Sequence, residues 1–270
     1  MSETIRLTGV HETLLATLQA RAIDNRAQEP VLGDATAEDL LRRIDYDFRR
    51  IKTAAKDVRT VTFRAKKLDE WTLAFLNEHP DAVVLHLACG LDSRAFRLDT
   101  PAGVEWIDVD VPQVVELRSR LYQKRDGYRM IGSSVTAEGW LDSVPADRPT
   151  LVVAEGLTPY LGEADGEEML RRLTQHLSRG SIMFDAVLPW TLRFAKHSQL
   201  LRATGATFSW GIGDPRSLEH RVPGLRFLEQ WSLLESPYLA KARPLERAVG
   251  TAMRGVPQLR YAHRLLRYHF

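Results

Sequence analysis

The sequence predicts an α/β protein built on a doubly wound parallel sheet, and two segments carry that prediction. Residues 83–87 read VVLHL and end abruptly in the small residues Ala88, Cys89 and Gly90. Such a run is typical of a buried parallel strand that delivers the backbone to a ligand at its carboxyl end. Residues 104–110 read VEWIDVD, a second apolar run that ends in an acid. Apolar runs then alternate with helical patterns, as in repeated βαβ units.

The first part of the chain, residues 1–80, is predicted to form a helical cap. Apolar residues at helical spacing predict three helices, over 10–30, 36–49 and 60–79. Pro30 ends the first of these segments, and Pro80 ends the third.

The sheet is predicted within residues 81–188. Strands are expected at 82–88, 104–109, 127–132, 149–154 and 181–187. Helices are expected at about 92–97, 112–125 and 163–178. The alternation places the carboxyl ends of all five strands at one edge of the sheet, where such folds bind ligands.

The last third of the chain is predicted to contain an insertion and two closing strands. Residues 189–222 are rich in Trp, Phe, Arg and Gly and are interpreted as a lid. Four aromatic residues there would line a ligand pocket or form the core of the lid: Trp190, Phe194, Phe208 and Trp210. Residues 223–270 are interpreted as closing strands near 225–232 and 260–270, with a helix at about 245–254. An antiparallel end pair would complete a seven-stranded sheet in one domain spanning residues 1–270.

Gly90 and Asp110 predict a cofactor that contains a nucleoside. An acid at the end of the second strand can accept hydrogen bonds from both ribose hydroxyls. A dinucleotide would require the pattern Gly-x-Gly-x-x-Gly, of which the chain has only Gly90, and Asp92 would repel a pyrophosphate. S-adenosylmethionine has no phosphate and carries a positive sulfonium. The residues therefore favour S-adenosylmethionine over NAD, and a nucleotide-binding protein without catalytic activity is the remaining alternative.

Residues 86–98, HLACGLDSRAFRL, resemble the signature NLGxGLDTRxxRL of the leucine carboxyl methyltransferase family. Residues 64–71, 106–112, 131–135 and 153–161 resemble further segments of that family in the same order. The resemblance covers roughly residues 8–188. It implies a class I methyltransferase with a seven-stranded Rossmann-like sheet, similar to the bacterial polyketide O-methyltransferases of the family.

The same resemblance implies the cofactor-binding residues. Asp110 matches the acid that binds the ribose, Arg64 the arginine that grips the methionine carboxylate, and Glu155 a glutamate that contacts the cofactor. Ser134 and Val135 match the positions that bracket the adenine. The full predicted set is Arg64, Ala88, Cys89, Gly90, Asp110, Ser134, Val135 and Glu155.

This chain departs from the family pattern at two of those positions. Ala88 stands where the family usually has glycine, and Ser134 stands where it often has aspartate. Cys89 is interpreted as a small buried apolar residue. Asp92 would cap the following helix or contact the cofactor. Asp108 is the alternative to Asp110 if the strand register is shifted.

Composition limits the class of partner. The chain has 37 basic and 35 acidic residues, a net charge of +2, which argues against nucleic acid. The single cysteine excludes an intrachain disulfide and a multi-cysteine zinc site, and no metal-binding pattern is present. No run of 18 apolar residues and no signal peptide is present, so we expect a soluble cytoplasmic protein without a membrane partner. We expect a monomer or a homodimer.

The predicted reaction is methyl transfer to oxygen of a small molecule, with S-adenosylhomocysteine as the product of the cofactor. A carboxyl acceptor is ionised at neutral pH and requires no base, whereas a phenol, with a pKa of about 10, requires one. The carboxyl acceptor rests mainly on the family resemblance. The candidate catalytic residues are His11 and His197, as bases for a phenol, and Tyr160, which would border the substrate or simply pack. The carboxyl terminus of a protein is a further possible acceptor, as in eukaryotic members of the family.

Overall fold

The computed structural model describes residues 3–4, 13–51, 53–195, 201 and 206–270. The strands are β1 (Glu3–Thr4), β2 (Ile44–Asp45), β3 (Val83–Leu87), β4 (Glu105–Asp110), β5 (Tyr128–Gly132), β6 (Thr150–Ala154), β7 (Gly180–Val187), β8 (Arg226–Ser232) and β9 (His263–His269). The helices are α1 (Thr13–Asn25), α2 (Ala35–Arg43), α3 (Ala55–Glu78), α4 (Arg94–Arg97), α5 (Pro112–Leu121), α6 (Glu163–His176), α7 (Leu192–Ala195), α8 (Ser217–Arg221), α9 (Pro244–Arg254) and α10 (Pro257–Arg260).

Seven strands of the described ranges form one sheet, in the order β5-β4-β3-β6-β7-β9-β8. Strands β3 to β7 run parallel, whereas β9 runs antiparallel to both β7 and β8. The strand order reverses between β3 and β6, so the carboxyl ends of these two strands border the switch point where open α/β sheets bind ligands. The predicted doubly wound, seven-stranded sheet is confirmed.

Helices cover both faces of this sheet, which explains why its central strands are continuously apolar rather than alternating. Every residue of β3 and of β6 is buried. On one face, Leu85 and Val152 belong to a core cluster that includes the apolar residues of α6. On the other face, Val84 and Trp106 pack with the apolar residues of α3. The switch point is therefore held between two rigid layers.

The predicted cap corresponds to α1, α2 and α3, but the helix ends differ from those expected. Helix α1 ends at Asn25 rather than near residue 30. The Asp24 carboxylate accepts hydrogen bonds from three successive backbone N–H groups, at residues 31, 32 and 33 (3.0, 2.8 and 3.1 Å), and so reverses the chain. Helix α3 begins at Ala55 rather than residue 60, because Asp57 accepts from the Ala54 N–H at 3.0 Å and caps the first turn.

Part of the predicted lid, residues 189–222, is tied to the core instead of covering the sheet as a separate layer. The Ile212 N–H donates to the Val187 carbonyl at 2.9 Å. Trp210 is 2% exposed and lies in the main core cluster. A Cβ atom added at Gly166 of α6 would lie 2.1 Å from the Trp210 ring, so the close approach requires glycine there. Of the two alternatives for Trp210, the structure shows the core position rather than the pocket lining.

Candidate functional site

The loop after β3 has a backbone conformation that residues with a side chain rarely adopt. Ala88 and Gly90 both have positive φ angles, 48° and 52°. Asp110, the last residue of β4, accepts from the Gly90 N–H at 2.8 Å and from the Val111 N–H at 2.8 Å. The acid predicted to bind a ribose therefore also fixes the loop predicted to approach it, at the carboxyl edge of two adjacent strands.

A cavity of about 470 Å³ opens beside this loop. Five of the eight predicted cofactor-binding residues line it: Ala88, Gly90, Asp110, Ser134 and Val135. The Ser134 hydroxyl lies 2.8 Å from the hydroxyl of Thr136, which lines the same wall. Polar groups from β4 and from the loop after β5 thus face a cavity large enough for part of a nucleoside ligand.

A second cavity, of about 310 Å³, adjoins the first. Ala88, Gly90, Gly156 and Tyr160 line both, so the two cavities share a wall. The second cavity also contains the remaining predicted residues, Arg64, Cys89 and Glu155. The structure therefore brings all eight predicted cofactor-binding residues to one continuous site.

Arg64, from α3 of the cap, and Glu155, which follows β6, are direct partners. The Arg64 Nε donates to Oε1 of Glu155 at 3.0 Å, and its Nη1 donates to Oδ2 of Asp185 at 2.8 Å. Both carboxylates are buried beside the smaller cavity. Among the described residues Nη2 has no hydrogen-bond partner, so one edge of the guanidinium remains available to a ligand.

Three arginines surround Glu155. Arg94 donates from Nη2 to Oε2 at 2.6 Å, and Arg21 of α1 lies 3.6 Å from Oε1. Burial alone would raise the pKa of Glu155, but the charges of Arg64, Arg94 and Arg21 outweigh it and hold the pKa below its usual value. Glu155 is therefore ionised, and it holds Arg64 in place.

Asp92 belongs to the same buried cluster. It accepts from the backbone N–H of Arg94 at 2.9 Å and pairs with Arg21 at 3.0 Å and with Arg97. Asp69 of α3 accepts from Arg94 at 2.7 Å and from Arg97 at 2.8 Å. Burial opposes ionisation of Asp92, yet the charges of Arg21, Arg94 and Arg97 hold its pKa well below the usual value. Asp92 thus caps α4, as one of its two predicted roles required.

Asp185 and His263 form a pair that the sequence analysis missed. The Nε2 of His263 lies 3.1 Å from Oδ2 of Asp185, and the Gly156 N–H donates to Oδ1 at 2.6 Å. Burial would raise the pKa of Asp185, but Arg64, His263 and the Gly156 N–H hold it well below the usual value. Both residues line the smaller cavity. One sequence signal could have found His263. The first residue of an antiparallel strand lies beside the carboxyl end of the neighbouring parallel strand.

Burial also affects the predicted residues Cys89, Tyr160 and Asp108. Burial raises the pKa of the Cys89 thiol well above its usual value, which suits a packed side chain. Burial raises the pKa of Tyr160 to about 12, so its hydroxyl is a donor at neutral pH. Asp108 is fully buried against Arg118 and Tyr128 and lines neither cavity, so the alternative to Asp110 is wrong.

The candidate bases His11 and His197 lie outside the described residues. Of the predicted lid aromatics, Phe208 lines the smaller cavity and packs edge-on against Tyr160 at 5.0 Å. Phe194 is exposed and contacts Trp190, and neither of them lines either of the two cavities. No helix in the described ranges is long and apolar enough to cross a membrane. These ranges also contain no group of three or more His, Cys, Asp and Glu residues that could hold a metal ion.

The chain has known relatives in sequence and in fold. The leucine carboxyl methyltransferase model matches residues 14–174. The tetracenomycin polyketide synthesis O-methyltransferase of Streptomyces glaucescens is 78% identical over 100% of both chains. An S-adenosyl-L-methionine-dependent methyltransferase of Gibberella zeae is 38% identical over 85% of this chain and 84% of its own. The magnesium protoporphyrin IX methyltransferase of Synechocystis shares the fold, with a TM-score of 0.51 and 13% identity over 94% of this chain and 99% of its own.

Proposed function

The chain belongs to the leucine carboxyl methyltransferase family, and from that premise we propose that it methylates the carboxyl group of a small aromatic polyketide acid. Its relative of 78% identity is named as an O-methyltransferase of polyketide synthesis and matches over the whole chain. The observation that carries the proposal is the pair of adjoining cavities, with Asp110 at one and Arg64 at the other. S-adenosylmethionine, when bound, supplies an electrophilic methyl group on a positively charged sulfur.

The larger cavity fits the adenosine part of the cofactor. The Asp110 carboxylate accepts from the Gly90 and Val111 N–H groups, and a carboxylate oxygen is able to accept more than one hydrogen bond, which suits two ribose hydroxyls. Ser134 and Val135 offer a hydroxyl and an apolar surface where an adenine ring would lie. The positive φ angles at Ala88 and Gly90 hold the loop in a conformation that would let a ligand approach its backbone closely.

The smaller cavity fits a ligand group that combines a carboxylate with positive charge. Arg64 offers its Nη2 edge to the carboxylate, while Glu155 and Asp185 hold the other two nitrogens. Four acids line this cavity, Asp57, Asp92, Glu155 and Asp185, and the last three are paired with buried arginines. A carboxylate in this lining is the partner that the amino group or the sulfonium of the cofactor would require.

The acceptor is proposed to occupy the part of the smaller cavity bordered by apolar side chains. Val187, Phe208 and Pro159 line it there. A carboxylate acceptor is ionised at neutral pH, so the chain has to orient its oxygen and exclude water rather than remove a proton. Tyr160, whose pKa is about 12, keeps its proton and is able to donate a hydrogen bond to that oxygen.

The experiment uses S-adenosylmethionine labelled in the methyl group and two matched probes, anthraquinone-2-carboxylic acid and 2-hydroxyanthraquinone. We expect label in the acid, released as methanol by mild alkali because the product is a methyl ester. Alkali-stable label in the hydroxyl probe alone would contradict the carboxyl acceptor. An organic extract of cells that make aromatic polyketides, assayed the same way, tests acceptors outside this pair.

A hydroxyl acceptor is the second candidate, because of the His263 and Asp185 pair. A carboxylate bonded to one ring nitrogen fixes the imidazole and leaves the other nitrogen for a proton from a phenol. The two probes separate the candidates, since a methyl ether survives the alkali that cleaves a methyl ester.

A further inference from the structure

We infer that His263 contacts the methyl acceptor and holds the oxygen that receives the methyl group. Neither the family signature nor the predicted site residues include this histidine. The inference rests on the proposed function for the chemistry of the acceptor, and on the geometry of β7 and β9 for the position of the ring.

The first step is the orientation of the ring. Asp185 is ionised beside Arg64, so it accepts hydrogen bonds and the Nε2 of His263 must be the donor across the 3.1 Å contact. Among the described residues none hydrogen-bonds to Nδ1. The side chain is 27% exposed and lines the smaller cavity. Nδ1 is therefore the ring nitrogen left for a ligand.

The second step is the position of the ring along the sheet. His263 opens β9 and pairs with Val187, the last residue of β7, at the carboxyl edge. In the sheet order, β9 lies three strands from β3, whose loop borders the larger cavity. At ~4.8 Å per strand this separation is ~14 Å. The ring thus lies in the smaller cavity and away from the Asp110 end of the site, and Val187 and Phe208 are apolar residues of the same lining.

The third step is the proton balance. Transfer to a carboxylate forms one C–O bond, breaks the C–S bond and leaves both products neutral at these atoms, with no proton released. For a carboxylate acceptor, a proton on Nδ1 would be donated to the acceptor oxygen while Nε2–H donates to Asp185, and the ring would give up no proton during the transfer. For a phenol acceptor, Nδ1 would instead accept the hydrogen bond and then the proton of the hydroxyl.

The test compares His263→Gln with His269→Gln. Glutamine at residue 263 retains a donor that reaches Asp185 but has no group at the Nδ1 position. His269 is the exposed last residue of the same strand, at the opposite edge of the sheet, and is a matched control. We measure kcat and KM for anthraquinone-2-carboxylic acid, and the Kd for S-adenosylhomocysteine by calorimetry.

We expect His263→Gln to lower kcat/KM for the acid by about 10- to 100-fold, the effect of losing a charge-assisted hydrogen bond. Affinity for S-adenosylhomocysteine should stay within about 2-fold, and His269→Gln should match the unaltered enzyme. An unchanged kcat/KM in His263→Gln overturns the inference. An equal loss of S-adenosylhomocysteine affinity also overturns it, because the ring would then bind the cofactor.

A measurement on the unaltered enzyme protects the test against a variant that does not fold. Diethyl pyrocarbonate modifies accessible imidazoles, and peptide mass spectrometry reads His263 and His269 separately. With S-adenosylhomocysteine bound, the acid should slow modification of His263 and leave His269 unchanged. Turnover of the acid without this protection overturns the inference alone. No turnover and no protection, with either probe or with the extract, overturns the proposed acceptor and the inference together.

Discussion

Replacing Asp110 tests the cofactor site most directly, because this carboxylate has two separable tasks. It accepts from the Gly90 N–H at 2.8 Å and from the Val111 N–H at 2.8 Å, which stabilises the loop. It is also proposed to accept from both ribose hydroxyls. Asp110→Ala removes both tasks, whereas Asp110→Asn keeps one amide oxygen as an acceptor and removes the charge.

The two tasks give different magnitudes. Each lost backbone hydrogen bond costs about 1 kcal/mol, so Asp110→Ala should lose about 2 kcal/mol of unfolding free energy and lower Tm by about 4–8 °C. Each hydrogen bond from a ribose hydroxyl to a charged acceptor contributes about 1.5–3 kcal/mol. Loss of both should weaken S-adenosylhomocysteine binding at least about 100-fold in Asp110→Ala, and roughly 10- to 100-fold in Asp110→Asn.

The assay is calorimetric titration with S-adenosylhomocysteine, with a urea unfolding curve for each variant. Ser134→Ala is the control, because it lies in the same cavity but loses one neutral hydroxyl, whose partner Thr136 is 2.8 Å away. That control should weaken binding by no more than about 5-fold. If folded Asp110→Ala binds within about 3-fold of the unaltered protein, the ribose assignment is wrong.

Three further predictions concern stability and are read from urea unfolding. Ala88→Gly relieves a φ of 48° and should raise the unfolding free energy by roughly 0.5–1 kcal/mol, so a loss would contradict strain at this loop. Gly166→Ala places a Cβ 2.1 Å from the Trp210 ring and should cost about 1–3 kcal/mol, whereas Gly213→Ala, with 3.8 Å to its nearest atom, should be nearly neutral. Burial opposes ionisation of Asp108, yet Arg118 and the hydrogen bonds to the Asp108 carboxylate lower its pKa from 3.8 to about 2. The ionised carboxylate therefore stabilises the folded state by about 2–3 kcal/mol above pH 4, and this contribution is lost as pH falls toward 2. Unfolding midpoints that stay constant between pH 4 and pH 2 would refute that ionisation.

Strands β3, β4, β6 and β7 could be predicted to within a few residues because nearly all their residues are buried, so apolar runs mark them directly. Helix ends could not, since side chains bonded to backbone set them. The end of α1 depends on Asp24, which accepts from three N–H groups seven to nine residues further on. The start of α3 depends on Asp57, within a turn that has no apolar periodicity.

Some residues of the candidate site could likewise be predicted from the sequence, and others could not. Gly90 and Asp110 could be predicted because each follows an apolar run, and parallel strands bring such ends together. Asp185 and Arg21 could not, because a single charged residue within a strand or an amphipathic helix looks like an ordinary surface position. His263 was hidden by its place in a strand, since only the antiparallel direction of β9 brings its first residue to the ligand edge.

The buried ion pairs that join the cap to the sheet also border the candidate cofactor site. The buried charges come in part from the cap, as Arg21, Arg64 and Asp69, and in part from the sheet side, as Arg94 and Glu155. Removing one partner of a buried pair costs about 3–5 kcal/mol, because the other charge stays desolvated. A cap that detached from the sheet would leave several such charges unpaired at once. Arg64 pairs with Glu155 and Asp185 of the sheet side, so a methionine carboxylate bound at Arg64 should stabilise the contacts between cap and sheet.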